Sequence, residues 1–254
     1  MKKLFWILVA VMVVFGGLFL WLPSRYAVPV LMYHSIDNAS HEPLNNVTPQ
    51  TFSRQMAVLR QQGCNVISIK EFAEGMQAGR RFAPKTVVIT FDDGYDDNYT
   101  SAFPILRANG FPAALFLAPD HMENRGYLTW DQIRQMAAGG ITIGSHVMGE
   151  TYLPSLQGEK LVWALEESKR QIEQKLALPV EYLSYPVGGF TPEAQTAARK
   201  AGYRAAFTTN RGFSRGVDIF ALRRIRVKDT DGPLAMMLKI SGYYDLFRSV
   251  KAPF

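Results

Sequence analysis

Short apolar runs and amphipathic runs alternate almost without a break from residue 28 to residue 227, and that order restricts the fold more than any other feature of the chain. The strand-like runs are Val28–Tyr33, Asn65–Ile69, Thr86–Phe91, Ala113–Leu117, Ile141–Ser145, Glu181–Tyr185, Arg204–Thr208 and Leu222–Val227. Within the third, Thr86–Ile89 reads as a strand buried on both faces. Helical spacing with readable ends fills the intervals. Thr48 and Pro49 open a helix that runs through Phe52, Met56 and Leu59 to Gly63, and Thr129 caps another through Ile133 and Met136. Leu161, Leu165, Ile172 and Leu176 mark the longest, and Thr191-Pro192 opens one that stops at Gly202. A βαβα order requires crossover connections and therefore a parallel sheet, either open or closed into a barrel. With 254 residues, 48% of them apolar, the chain has ample material for one such core.

In a parallel barrel all carboxyl ends of the strands lie on one face, where active sites are built. Four of these ends carry reactive side chains: His34, the pair Asp92-Asp93, His146, and Tyr185-Pro186. Burying two adjacent carboxylates is costly unless they are paired, hydrogen-bonded or metal-bound. Neighbours on an extended chain point opposite ways, so Asp92 and Asp93 are free to hold different roles. A hydrolytic divalent cation needs a few N or O ligands and an open position for water. Asp93 and His146 form the natural pair, and Glu150, four residues on, is the candidate third ligand. A second carboxylate outside the metal's shell is needed to deprotonate the water. The bland alternatives are an Asp-Gly turn, a hydrogen-bonded structural histidine and a solvated Glu150. His41 and His121 read as surface residues.

The N-terminus adds a second constraint. Lys2 and Lys3 precede nineteen uncharged residues, Leu4–Leu22. As a helix this segment spans about 28 Å, close to the thickness of a hydrocarbon core. Its bulky end, Phe19-Leu20-Trp21-Leu22-Pro23, lacks a small-x-small cleavage site, which favours an uncleaved anchor over a signal peptide. The lysines orient the remainder of the chain to the extracytoplasmic side. The division expected is residues 1–23 as a single-pass anchor and residues 27–254 as one catalytic domain. A net charge of +6 with no basic block gives nucleic acid nothing to bind. Cys64 is the only cysteine, so no intrachain disulfide forms.

Thr90–Tyr95 resembles the first motif of the polysaccharide deacetylases, the NodB-homology or carbohydrate esterase 4 family. Ser145-His146 resembles the second motif, and Tyr185-Pro186-Val187-Gly188 the third. Leu31–Ile36 and Leu222–Val227 are similar to the entry strand and the late arginine strand of a subgroup that includes poly-N-acetylglucosamine deacetylases. The resemblance covers about residues 28–230 and implies a distorted (β/α)7 barrel of NodB type, here preceded by one N-terminal transmembrane helix. It implies Asp92 as general base, Asp93 and His146 as metal ligands, and Arg223 or Arg224 as the clamp on the base, Arg224 matching better. It also implies an oxyanion contact from the backbone near Val187, with Tyr185 in the substrate motif, and His34 as general acid. The chain departs from the pattern where the second histidine of His-x-x-x-His is replaced by Glu150. Ser184 stands where the third motif often has Arg, and no histidine follows His146.

The activity implied is metal-dependent removal of an N-acetyl group from an amino sugar of an envelope glycan. Alternatives are a deacylase or deformylase of a lipid-linked sugar, and a carbohydrate-binding relic with weakened catalysis. The resemblance implies Zn²⁺, and the carboxylate at Glu150 opens the site to Mn²⁺, Co²⁺ or Mg²⁺. The expected partners are an N-acetylated glycan or glycolipid and, through the N-terminal helix, the membrane.

Overall fold

The structure is a computed structural model that describes residues 26–38, 45–209, 218–244, 246 and 251–252. The proposed anchor, Leu4–Leu22, lies outside the described residues, and so does His41. Among the described residues no helix is long and apolar enough to cross a membrane.

The strands are β1 (Val30–Tyr33), β2 (Asn65–Val66), β3 (Thr86–Phe91), β4 (Ala113–Leu117), β5 (Ile141–Ser145), β6 (Tyr182–Ser184), β7 (Ala205–Thr208), β8 (Leu222–Arg223) and β9 (Ile225–Arg226). The helices are α1 (Pro49–Gln61), α2 (Ile69–Gln77), α3 (Phe103–Asn109), α4 (Trp130–Ala138), α5 (Gly158–Leu176), α6 (Pro192–Lys200) and α7 (Pro233–Lys239). Every pairing is parallel, in the order β8-β7-β6-β5-β4-β3-β1-β9, with β2 added at the foot of β3. β8 and β9 are two halves of one ribbon, separated by Arg224 alone. The first half pairs with β7 and the second with β1, so the ribbon bridges the last gap of a nearly closed barrel. Its ring of staves fits the distorted (β/α)7 fold.

Alternation along the strands sorts the side chains into two layers. Val30, Val88, Ala114, Phe116, Tyr182, Ala205, Phe207 and Leu222 form one cluster, which requires them to share the barrel interior. Their neighbours Leu31, Tyr33, Ile89, Phe91, Leu115, Leu117 and Leu183 pack outward against the helices. The helix stripes complete that outer layer: Phe52, Met56 and Leu59 of α1 and Leu161, Leu165, Ile172 and Leu176 of α5 are buried. Thr48 caps α1 as expected, and Thr129 with Gln132 forms a full capping box on α4.

Three differences from the sequence reading have local causes. The run Asn65–Ile69 stops as a strand at Val66, because the Ser68 hydroxyl accepts from the Glu71 amide at 3.1 Å and starts α2 at Ile69. Leu222–Val227 is broken at Arg224, where the ribbon changes partner. The short helices α2, α3 and α7 were not expected: α2 sends Ile69, Phe72 and Ala73 into the interior cluster, and α3 and α7 pack against α1.

Candidate active site

The inward stripe of β3 continues past Val88 through Thr90 to Asp92, and that of β1 through Met32 to His34. The same stripe on β6 ends at Ser184, and the ribbon contributes Arg224. These side chains therefore meet at the carboxyl end of the barrel interior. Arg224 is fully buried and grips Asp92 with two bonds, Nη1 to Oδ1 and Nη2 to Oδ2, each 2.6 Å. It also donates to Ser184 Oγ at 2.7 Å and Thr90 Oγ1 at 3.3 Å, while Thr90 donates to the Leu31 carbonyl at 2.9 Å. Its guanidinium lies 5.5 Å from the centre of the Phe116 ring. That ring fits only because Gly144 has no side chain; a Cβ there would stand 2.5 Å from it. Burial pushes the Asp92 carboxyl up in pKa. The charge of Arg224, helped by His146 and His34, outweighs this and brings it down to about 2.

Asp93 leaves the barrel wall by a turn. The Gly94 amide bonds back to the Asp92 carbonyl at 3.0 Å, with Asp93 at φ 75°, so the two carboxylates diverge through a γ-turn and not through strand alternation. This corrects the reason given for their different roles. Asp93 then faces His146, with Oδ1 3.4 Å from Nε2. His146 follows β5, its amide tied to the Leu117 carbonyl at 2.7 Å and its Nδ1 bonded to the Ser184 carbonyl at 2.9 Å. A carbonyl can only accept, so Nδ1 carries a proton, and Nε2 is the ring nitrogen turned toward Asp93. Burial, then the charges of Glu150 and Asp92, push the Asp93 carboxyl well above the ordinary carboxylate range, against smaller lowering effects from Arg224 and a Tyr95 hydrogen bond.

Asp92, Asp93, His34 and His146 line one pocket of about 620 Å³, with Glu150, Tyr152, Val187 and Arg224 around its wall. Val187 is a β-branched residue at φ 58° with 80% of its surface exposed. Its carbonyl accepts from Thr209 Oγ1 at 2.8 Å, and the Gly188 carbonyl accepts from Thr208 Oγ1 at 2.7 Å. The turn is thus held in an unfavourable conformation by two hydroxyls of the neighbouring strand.

A profile for the family described as "Polysaccharide deacetylase" matches residues 79–206. The chain is 33% identical over 201 residues to the YxkH protein of Bacillus subtilis (strain 168), covering 79% of this chain and 71% of that one. The chain belongs to the polysaccharide deacetylase family. It is also 31% identical over 148 residues to the poly-beta-1,6-N-acetyl-D-glucosamine N-deacetylase of Escherichia coli (strain K12), which covers 51% of this chain but only 22% of that protein. Among solved structures, the Streptococcus pyogenes deacetylase PplD in complex with acetate superposes with a TM-score of 0.78. It is 25% identical, over 84% of this chain and 97% of that one.

On this deacetylase barrel the sequence-predicted residues fall into three groups. Asp92, Arg224, Asp93, His146, His34 and Val187 converge on the pocket. Between the two arginines considered for the clamp, the structure selects Arg224. Tyr185 does not face the pocket: its ring is fully buried, stacks on Phe190 at 5.0 Å and donates its hydroxyl to the Phe220 carbonyl at 3.0 Å. Its place in the motif is explained by core packing, and the neighbours that line the pocket are Pro186 and Val187. Glu150 lines the pocket, but its Oε1 lies 3.0 Å from His121 Nδ1. Among the described residues no three His, Cys, Asp or Glu side chains form a group poised to hold a metal. His34 is only partly exposed; burial first, then Arg224, His146 and Arg226, lower its pKa to about 4 despite the opposing pull of Asp92. The resting imidazole is therefore neutral at pH 7, which a residue expected to donate a proton must overcome.

Several contributors had escaped the sequence reading. Asp97 accepts from Ser35 Oγ and the Ile36 amide, both at 2.7 Å, and Asn98 donates to the His34 carbonyl at 2.7 Å. Together they fix the loop that carries His34. Tyr152, exposed at the pocket edge, lies against Gly189, where a Cβ would come within 2.2 Å of its ring. His121, read from the sequence as a surface residue, holds Glu150. These contacts join positions distant in sequence, and only the Asp and Asn residue types hinted at them.

Proposed function

We propose that this protein is a metal-dependent de-N-acetylase acting on an amino sugar of an envelope glycan. The observation that carries the reading is the buried Asp92–Arg224 clamp standing beside the Asp93–His146 pair in a single pocket. A cation fits this donor set: the Asp93 carboxyl is destabilised by burial and by two neighbouring acids, and His146 turns Nε2 toward it while Nδ1 is held by the Ser184 carbonyl. Asp93 and His146 would hold the ion; Glu150 lines the same pocket with Oε1 committed to His121, so it would have to turn to become a third donor. When bound, such an ion polarises the acyl carbonyl and increases the acidity of water.

The remaining chemistry belongs to the chain. Asp92, kept ionised and immobile by Arg224, takes the proton from the attacking water. The backbone at Val187 faces the oxygen on which negative charge develops. His34 is neutral at the start, so it accepts the proton that Asp92 has taken from water and passes it to the departing nitrogen, which returns both residues to their starting states. Residues 1–23 would anchor the domain to the membrane on its extracytoplasmic side.

Acetate release from N-acetylglucosamine oligomers, with Zn²⁺, Mn²⁺, Co²⁺ or Mg²⁺ added to chelator-treated protein, tests the reading. Release that depends on metal and is lost in Asp92→Ala is expected. A folded protein that releases no acetate with any of these ions is not this enzyme.

A further inference from the structure

The pocket is lined by acids on one side and by bases on the other. Asp92, Asp93 and Glu150 follow β3 and β5, whereas Arg224, Arg226, Lys228, Lys239 and Lys251 come from the ribbon and the chain after it. Two of these bases are already committed. Arg224 is spent on Asp92, and Lys239, itself buried, pairs with Asp231 and donates to the Arg226 carbonyl at 2.7 Å. Asp231 also accepts from the Lys228 amide at 2.7 Å, so this ion pair braces the chain on either side of Val227. Arg226 is in register with Met32, and Ile225 packs into the outer layer, so Arg226 shares the inward face with Arg224. Its charge is felt at the reaction centre: burial is the chief cause of the low His34 pKa, and Arg224, His146 and Arg226 add to it. Lys228 and Lys251 are exposed on the pocket rim, and among the described residues neither makes an ion pair.

We propose that the wall formed by Arg226, Lys228 and Lys251 is a subsite for an oxyanion, a carboxylate or a phosphate, borne by a sugar adjoining the one that is deacetylated, so that the substrate is an acidic glycan. The inference rests on the de-N-acetylase reading above, in which the acyl group sits at Asp93 and His146 while the departing nitrogen faces His34. That nitrogen is bonded to the sugar, so the sugar ring lies on the His34 side of the pocket, and β9 is the strand that pairs with β1 there. Groups carried next to the reacting sugar therefore come against the basic wall. A neutral glycan would leave both lysine charges uncompensated, whereas an oxyanion meets a guanidinium and two ammonium groups that draw it in and orient the strand.

Acetate release by the full-length chain, with the activating ion present, is compared on tetramers of N-acetylglucosamine that are unmodified, carboxylated at C6 of alternate sugars, or phosphorylated there. The acidic tetramers should have the higher kcat/KM, and the better of the two names the oxyanion. Lys228→Gln/Lys251→Gln should lower the acidic-to-neutral ratio of kcat/KM about 3–10-fold, through KM and not kcat, and added salt should lower it as well. Lys70→Gln/Lys200→Gln removes the same charge from exposed positions outside the pocket and should keep the ratio of the parent. Equal kcat/KM on acidic and neutral tetramers, or a ratio that falls as far in Lys70→Gln/Lys200→Gln, overturns the subsite and leaves the deacetylase standing. Calorimetry on the chelator-treated parent separates the two readings without turnover: the acidic tetramers should bind more tightly, and Lys228→Gln/Lys251→Gln should lose most of the difference. If no tetramer releases acetate but that difference in binding holds, the deacetylase reading fails and the oxyanion site stands. If the difference is absent as well, both fail.

Discussion

The strongest single interaction in the pocket is also its greatest liability. The side chains of Arg224 and Asp92 are 0% and 2% exposed, so neither charge has water to fall back on. Removing one partner leaves the other buried and unpaired, which costs about 3–5 kcal/mol, whereas replacing both with apolar or neutral groups costs far less. Arg224→Met should therefore destabilise the chelated protein by about 3–5 kcal/mol in urea unfolding, and Asp92→Asn/Arg224→Met should recover much of that loss. Turnover should be absent in both. A double variant no more stable than the single one would show that the clamp is not energetically coupled. His34 gives a pH-dependent counterpart. Its pKa is about 4 in the folded chain against an ordinary 6.5, so the unfolded chain binds the extra proton between those values. Its contribution to stability is complete above about 6.5 and is lost as pH falls toward 4. Asp93, with its raised pKa, acts in the opposite direction over part of this range, so the comparison must be a difference. The melting temperature of chelated wild type, relative to His34→Asn, should fall as pH is lowered from 6.5 to 4; a flat difference would contradict the burial of the imidazole.

At the level of elements, the turn after β6 concentrates strain where the substrate is expected. Val187 holds φ 58° with its side chain mostly in solvent, so it gains little packing in return. A residue in this region costs about 1–3 kcal/mol, and glycine's extra chain entropy offsets about 0.5–1 kcal/mol of any relief. Val187→Gly should thus stabilise the protein by about 1 kcal/mol in chemical denaturation. Gly188→Ala should do the reverse and abolish turnover, because its Cβ would stand 2.1 Å from Thr209 Oγ1 and 2.5 Å from the Thr209 amide. The same scale shows what the sequence could and could not reveal. Thr86–Phe91, Ala113–Leu117 and Ile141–Ser145 emerge with their expected boundaries, because strands covered on both faces are apolar along their whole length. Helix α3 was hidden by Pro104, which reads as a breaker but occupies the first turn. Helix α2 was hidden because its apolar start, Ile69, continues the apolar run of the strand before it. Strand ends made Asp92, Asp93 and His146 legible, whereas Arg224 emerged only from the resemblance of Leu222–Val227 to the family's late arginine strand. The bond from His121 to Glu150 was not, because it joins two loops whose approach is decided by the pairing of β4 with β5.

At the level of the whole molecule, the direction of β1 bears on the choice between substrates. Three residues separate Leu22 from Tyr26, where the described chain begins. Ala27 bonds to the Gly242 carbonyl at 3.0 Å, and the Tyr26 hydroxyl reaches the Thr86 carbonyl at 3.4 Å, at the amino end of β3. The chain therefore enters at the foot of the barrel, while His34 and the pocket lie at the opposite end. Eight residue steps at about 3.3 Å each separate the two by up to about 26 Å. With Leu4–Leu22 in the bilayer, the short tether would keep the foot of the barrel near the headgroups and turn the pocket toward the glycan beyond. A lipid-linked sugar held close to the membrane plane would have to reach around the domain, whereas a polymer strand would meet the pocket directly. In vesicles carrying the full-length chain, soluble N-acetylglucosamine oligomers should release acetate faster than a lipid-linked N-acylated amino sugar in the same bilayer at matched concentration. Faster deacylation of the lipid-linked substrate would reverse the assignment and mean that the barrel lies on its side, with the Val187 rim against the headgroups.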